Sequence, residues 1–273
     1  MNQLVSTEWL NNNLDNVKIL DASWHLPNSN RNPLEEYELN HITNAIFFDI
    51  DKNSNKKSQL PHMLPEEQDW EEIVSNLGIS NSDKIVIYDN SDVLSSCRCW
   101  YTFIFFGHDP NLISILDGGF LKWKKENKKT TNKKTVIANQ YYQSRKKIHL
   151  VKTKKEIDDN IFKEEFKIVD ARSKNRFLGL EKEPRPGLRS GSIKNSYCLP
   201  FMDLINKEDK TFKDKEFIKK KFKDIGIVNE NNIVFSCGSG ITASVLALAY
   251  SMINDKYSPT VYDGSWAEYG MIK

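Results

Sequence analysis

Cys237-Gly238-Ser239-Gly240-Ile241-Thr242 is the stretch whose residue types and spacing best suit covalent chemistry. The run before it, Ile233-Val234-Phe235, is β-branched and aromatic and follows Asn231-Asn232, so it predicts a short buried strand. The run after it, Ala243 to Tyr250, has almost no polar face and predicts a helix covered on most sides. Cys237 then lies between a strand's carboxyl end and a helix amino terminus, where open α/β sheets bind ligands. The two glycines let the backbone turn tightly. Loop N–H groups and the positive end of a helix dipole favour the anionic form of a sulfur held between them. The chemistry expected is that of a reactive thiol.

Other uses of the same loop fit less well. A buried structural cysteine has no need of paired glycines. Gly238-x-Gly240-x-x-Ala243 satisfies a dinucleotide fingerprint literally, but that motif opens a βαβαβ unit and too little chain follows Ala243 to build one. A phosphatase loop requires an arginine where Ala243 and Ser244 stand, and without it a phosphate dianion lacks its bidentate partner.

The elements that must position this loop come in two copies. Leu20-Asp21-Ala22-Ser23 pairs with Val169-Asp170-Ala171-Arg172, and His41-Ile42 with Ser192-Ile193. Leu77-Gly78-Ile79 through Ile85-Val86-Ile87-Tyr88-Asp89 pairs with Ile225-Gly226-Ile227 through Ile233-Val234-Phe235-Ser236-Cys237. Asp117-Gly118-Gly119 pairs with Asp263-Gly264-Ser265, each followed by an aromatic residue. Four registers kept in order at a nearly constant offset imply a tandem duplication. Within the first copy, Val17 to Leu20, Ala45 to Phe48, Ile85 to Tyr88 and Leu112 to Leu116 have the length and character of buried parallel strands. Between them, Trp70, Ile73, Val74 and Leu77 share one helical face that Gly78 ends. In the second copy, Thr153 to Glu156 forms a capping box, and Phe217, Ile218, Phe222 and Ile225 repeat the stripe. The expectation is an α/β fold: a first domain over 1–130, a solvated linker over 131–150 and a second domain over 151–273.

Composition excludes several function classes. The 273 residues are 39% hydrophobic and 11% aromatic, as a globular protein requires. With 39 basic against 37 acidic residues the net charge is only +2, which gives no bulk electrostatic case for nucleic acid or a membrane surface. The lysine-rich Lys122 to Lys134 lacks interleaved aromatics over Lys128 to Lys134 and reads as solvated surface. No signal-like segment opens the chain and no apolar run is long enough to span a bilayer, so the expectation is a cytoplasmic protein. Four cysteines and five scattered histidines complete no zinc site, and no metal is expected.

The position equivalent to Cys237 in the first copy is Asp89, and Asn90 to Leu94 after it lack the glycines. One copy is therefore expected to be active and the other structural, with the site where the two meet. In these features the chain resembles the two-domain rhodanese-type sulfurtransferases. The likeness runs through Asp21 to Pro27, Phe47 to Asp51, His62 to Pro65, Asp170 to Ser173, Glu183 to Gly187 and Cys237 to Ala243. It implies tandem rhodanese-like domains, each a mainly parallel sheet with helices on both faces.

The resemblance also implies roles. Within the family, thiosulfate enzymes resemble Cys-Arg-Lys-Gly at this loop and mercaptopyruvate enzymes Cys-Gly-Ser-Gly; the loop here is of the second kind. Cys237 matches the nucleophile that carries a persulfide, and Gly238, Gly240, Ile241 and Thr242 the loop that cradles it. Arg176 and Arg185 match substrate-binding arginines, although read alone each is a loop arginine paired with Glu181 or Glu183. Arg172 and Arg189 are read as structural. Asp51, His62 and Ser239 match a polar set beside the nucleophile that can supply a proton to a departing enolate. The implied donor is 3-mercaptopyruvate, the implied acceptor a thiol such as reduced thioredoxin, or cyanide, with no cofactor. The alternatives are thiosulfate as donor and a catalytically silent sulfur-relay module.

Overall fold

A computed structural model of the chain describes residues 2–272. Its contacts divide the described residues into two compact units, the first of residues 2–56, 64–147 and 207–211, the second of 57–63, 148–206 and 212–272.

In the first unit the order is β1 (Leu4–Val5), α1 (Thr7–Asn11), β2 (Lys18–Asp21), α2 (Pro33–Leu39), β3 (His41–Ile42), β4 (Ala45–Phe47), α3 (Glu67–Asn76), β5 (Ile85–Tyr88), α4 (Ser96–Phe105), β6 (Ile113–Leu116), α5 (Gly119–Lys125) and β7 (Thr130–Thr131). Five strands form a parallel sheet in the order β1-β6-β5-β2-β4, and β3 pairs with β7 antiparallel. Strand residues on one face, Ile19, Ala45, Val86 and Tyr88, pack with Leu10, Tyr37, Phe120 and Trp123 of α1, α2 and α5. Because side chains alternate along a strand, Leu20, Ile85 and Ile87 point the other way. There α4, buried along its whole length, packs on β5 and β6, and α3 joins it through the edge-to-face pair Trp70–Phe103 at 4.9 Å.

The second unit runs β8 (Val151–Lys152), α6 (Lys154–Lys163), β9 (Lys167–Asp170), α7 (Lys174–Phe177), β10 (Ser196–Cys198), α8 (Lys215–Asp224), β11 (Ile233–Ser236), α9 (Ile241–Ser251), β12 (Val261–Tyr262) and α10 (Ser265–Tyr269). Its parallel sheet has the order β10-β9-β11-β12-β8. Taken strand for strand, that is the order of the first sheet, and the register agrees: Asp21 lies opposite Tyr88 as Asp170 lies opposite Ser236. Val234 faces Ile157 and Trp266 on one side of the sheet. Phe235 faces the other, edge-on to Phe222 of α8 at 6.0 Å and to Tyr250 of α9 at 6.2 Å. The capping box expected at Thr153 opens α6.

The stretch expected as a solvated linker over 131–150 is organised differently. Residues up to 147 belong to the first unit. Tyr142 is buried, and the backbone N–H groups of Arg145 and Lys147 donate to the carbonyls of Phe106 and Phe105 at 2.8 Å each. A buried aromatic and main-chain hydrogen bonds hold this segment down despite its polar side chains. Among the described residues no helix is long and apolar enough to cross a membrane.

Candidate active site

β11 ends at Ser236 and α9 begins at Ile241, with Gly240 as its cap at φ +81°. That left-handed conformation is open to glycine without strain and lets the chain turn directly from strand to helix. Ile241, Thr242 and Ala243 supply the opening N–H groups of α9, which have no intrahelical acceptor, so the positive end of the dipole lies at the cysteine loop. Ile241 is buried and Thr242 half-buried.

The backbone of Cys237 is held by α10. Cys237 N–H donates to Ser265 Oγ at 3.2 Å, and that hydroxyl donates to the Tyr262 carbonyl at 2.8 Å. The carbonyls of Cys237 and Gly238 accept the N–H groups of Trp266 and Ala267, each at 2.9 Å. In the first unit Phe120 N–H donates to the Asp89 carbonyl in the equivalent bond, also at 2.9 Å. There Gly119 stands at φ +51°, and a Cβ on it would come within 2.5 Å of the Asp89 oxygen. Ser265 takes the same left-handed backbone at φ +48° and uses its hydroxyl on Cys237.

Arg176 and Arg185 converge on this loop. A Cβ built on Gly238 would lie 3.4 Å from Arg176 Nη2 and 3.7 Å from Arg185 Nη1. A methyl group at 238 would thus meet both guanidinium groups at ordinary van der Waals distance. Arg176 projects from α7, whose cap Ser173 accepts its N–H, and it also pairs with Glu183 at 2.5 Å. Glu183 is shared with Arg172 at 2.7 Å. Arg172 in turn grips Asp170 at 2.7 Å and lies over the Trp266 ring at 4.2 Å. Burial opposes the charge on Arg172, and the two carboxylates outweigh it, holding the guanidinium above its ordinary pKa. Arg189 lies over the same Trp266 ring at 4.5 Å and over Tyr269 at 5.5 Å.

His62, from the short segment that joins the second unit, places Nδ1 2.9 Å from Ser239 Oγ. Both residues are buried, and His62 holds a left-handed backbone at φ +61°. Asp51 lies in the first unit and accepts Trp24 Nε1–H at 2.9 Å. The second unit therefore brings together Cys237, Gly238, Ser239, Gly240, His62, Arg176 and Arg185.

All four cysteines are free. Burial pushes the thiols of Cys97 and Cys99 well above their ordinary range, and that of half-buried Cys198 up to about 11. Those three are held protonated at neutral pH. Cys237 itself is 2% exposed, set among loop backbone, α9 and α10. At the equivalent place in the first unit, the Asp89 carboxylate accepts N–H groups of Ser91 and Ser96 at 2.8 Å each. The first copy thus fills its loop with its own carboxylate.

Ser265 and Trp266 are the contributors that sequence reasoning passed over. The pairing of Asp263-Gly264-Ser265 with Asp117-Gly118-Gly119 was the available signal for both; Glu183 is expected from the sequence as a partner of the loop arginines, and its bond to Arg172 is what the structure adds.

The rhodanese-like domain model matches the chain twice, over residues 6–126 and 153–271. The chain belongs to the rhodanese-like family. This rhodanese-like protein is 37% identical to thiosulfate/3-mercaptopyruvate sulfurtransferase 1, mitochondrial, of Arabidopsis thaliana, over 97% of this chain and 75% of that one. It is 36% identical to the 3-mercaptopyruvate sulfurtransferase of Mus musculus, over 98% and 92%. Its fold is similar to that of SseA from Escherichia coli, described as a 3-mercaptopyruvate sulfotransferase, with a TM-score of 0.86, 28% identity and coverage of 98% of this chain and 100% of that one.

Proposed function

We propose that this rhodanese-like chain is a sulfurtransferase that takes sulfur from 3-mercaptopyruvate onto Cys237 and passes it to a thiol acceptor or to cyanide. The Cys237 thiolate attacks the sulfur of the donor, forming an S–S bond. The donor's S–C bond breaks, its electron pair leaves on carbon as pyruvate enolate, and a proton converts this to pyruvate. An acceptor thiolate then attacks the outer sulfur of the persulfide and returns Cys237 to its starting state. The His62–Ser239 pair supplies the proton to the enolate carbon, and Arg176 and Arg185 bind the donor's carboxylate and keto oxygen.

The observation that carries this reading is the placing of positive charge. Family likeness alone does not choose the donor, since one relative's name includes both. Here the two cations placed at Gly238 come from α7 and the segment that follows it, and the cysteine loop itself contributes only Gly, Ser and Gly. A compact dianion such as thiosulfate calls for cations in the loop; an α-keto acid carries its carboxylate away from the reacting sulfur. Reduced thioredoxin and small thiols fit the second step, and a reducing cytoplasmic setting fits four free thiols.

Steady-state rates with the two donors test the choice. A higher kcat/KM with 3-mercaptopyruvate is expected; an equal or higher value with thiosulfate reverses it.

A further inference from the structure

We infer that Glu183 is a positioning residue for Arg176, fixing its guanidinium at the Cys237 loop for the carboxylate of the donor, an inference that rests on the sulfurtransferase reading above. The Glu183 side chain is 1% exposed and ties two arginines together. Oε1 accepts from Arg172 Nη1 at 2.7 Å and from Arg176 Nε at 3.2 Å, while Oε2 accepts from Arg176 Nη2 at 2.5 Å. The pair therefore engages the Nε–Nη2 edge of Arg176 and leaves Nη1 outside it.

By Coulomb's law alone, a buried carboxylate beside an anion-binding guanidinium weakens binding of an anion. What it supplies is orientation. Arg176 carries a long, flexible side chain, and two hydrogen bonds in a plane fix the direction of its fork. Glu183 is itself held through Arg172, which grips Asp170 at the end of β9 and lies over Trp266. Trp266 N–H bonds the Cys237 carbonyl. One run of contacts, Arg176–Glu183–Arg172–Trp266, thus sets the substrate-facing cation relative to the backbone of the nucleophile.

The opposition of charge and orientation makes the role separable. Glu183→Gln keeps the shape and removes the charge, so an effect of charge alone lowers KM for an anionic donor. Loss of orientation raises it. With cyanide as acceptor, the full-length Glu183→Gln enzyme is expected to show a KM for 3-mercaptopyruvate raised about tenfold, with kcat changed by less than about threefold. Inhibition by pyruvate should weaken in parallel. A KM equal to or below that of wild type, or a fall in kcat with KM unchanged, overturns the inference. Glu183→Asp keeps the charge but shortens the reach and is also expected to raise KM, so it carries the test where the glutamine variant does not fold; a wild-type KM in it overturns the inference equally. A wild-type enzyme that does not turn over 3-mercaptopyruvate overturns the parent reading and this inference together, whereas normal wild-type turnover with unchanged KM in the variants overturns this inference alone.

Discussion

Arg176 Nη2 lies 3.4 Å from the point where a side chain on Gly238 would begin, with Arg185 Nη1 only 0.3 Å further away at 3.7 Å. Both cations of the site are therefore seated on a backbone position that carries no side chain. Gly238 does not have the left-handed backbone of Gly240, so alanine fits the chain conformation there and its methyl group tests the seating alone. That methyl group meets both guanidinium groups at ordinary contact distance, so Gly238→Ala is expected to fold normally with KM for 3-mercaptopyruvate changed by less than about threefold, whereas the bulkier Gly238→Val displaces them and is expected to raise KM by about tenfold. Unchanged KM in Gly238→Val would mean that the guanidinium groups do not bind the donor where they stand.

The His62–Ser239 pair at 2.9 Å is tested through a substitution that respects the backbone. Asparagine tolerates the left-handed φ of His62 better than alanine does, so His62→Asn removes the imidazole with little added strain. Loss of a proton donor predicts a fall of about 10²-fold in the rate of pyruvate formation. Wild-type turnover in His62→Asn would remove this pair from the mechanism.

Ser265 combines a left-handed backbone with a hydroxyl that accepts the Cys237 N–H. Both Ser265→Gly and Ser265→Ala leave that buried N–H without its partner, at a cost of about 1–3 kcal/mol. Alanine adds the strain of positive φ, which glycine relieves, so the glycine variant should be the more stable of the two by about 1 kcal/mol in urea denaturation. The reverse order would contradict the geometry assigned to this turn.

Asp21 provides a pH dependence. Burial pushes its carboxyl up to about 6, against the pull of hydrogen bonds from Ser23 and Tyr88. The folded state then holds this proton more tightly than the unfolded chain does. Its contribution to stability is fully present below about pH 4 and is lost as pH rises through about 6. Asp21→Asn keeps an acceptor for Ser23 and removes the titration, so it should gain on wild type as pH rises from about 4 to 7, by on the order of 2–3 kcal/mol. Parallel stability curves for the two proteins would show that Asp21 does not titrate in this range.

The strands were legible because each is a short continuous apolar run. Ile85–Tyr88 matches its expected span end for end, Ile113–Leu116 differs from its own by one residue at its start, and Lys18–Asp21 is shifted by one residue at both ends. The duplication was legible because it kept its turns: Gly78 and Gly226, at φ +67° and +83°, end equivalent helices. The segment over 131–147 was not legible as part of the first unit, because much of its docking is done by main-chain groups that composition does not reveal. The arginine network was partly legible. From the sequence, pairing with Glu183 and a place at the cysteine loop are alternatives for Arg176; the structure shows both at once. Ser265 was hidden because a serine after a glycine reads as an ordinary turn, and its bond to Cys237 spans 28 residues of sequence.

The central claim is that Cys237 alone carries sulfur. Intact-protein mass spectrometry after exposure to 3-mercaptopyruvate, without an acceptor, tests it most directly. Wild-type protein is expected to gain the mass of one sulfur atom, reversed by cyanide, and Cys237→Ser to gain none. A wild-type protein that gains no sulfur, or a Cys237→Ser variant that gains as much as wild type, would contradict it.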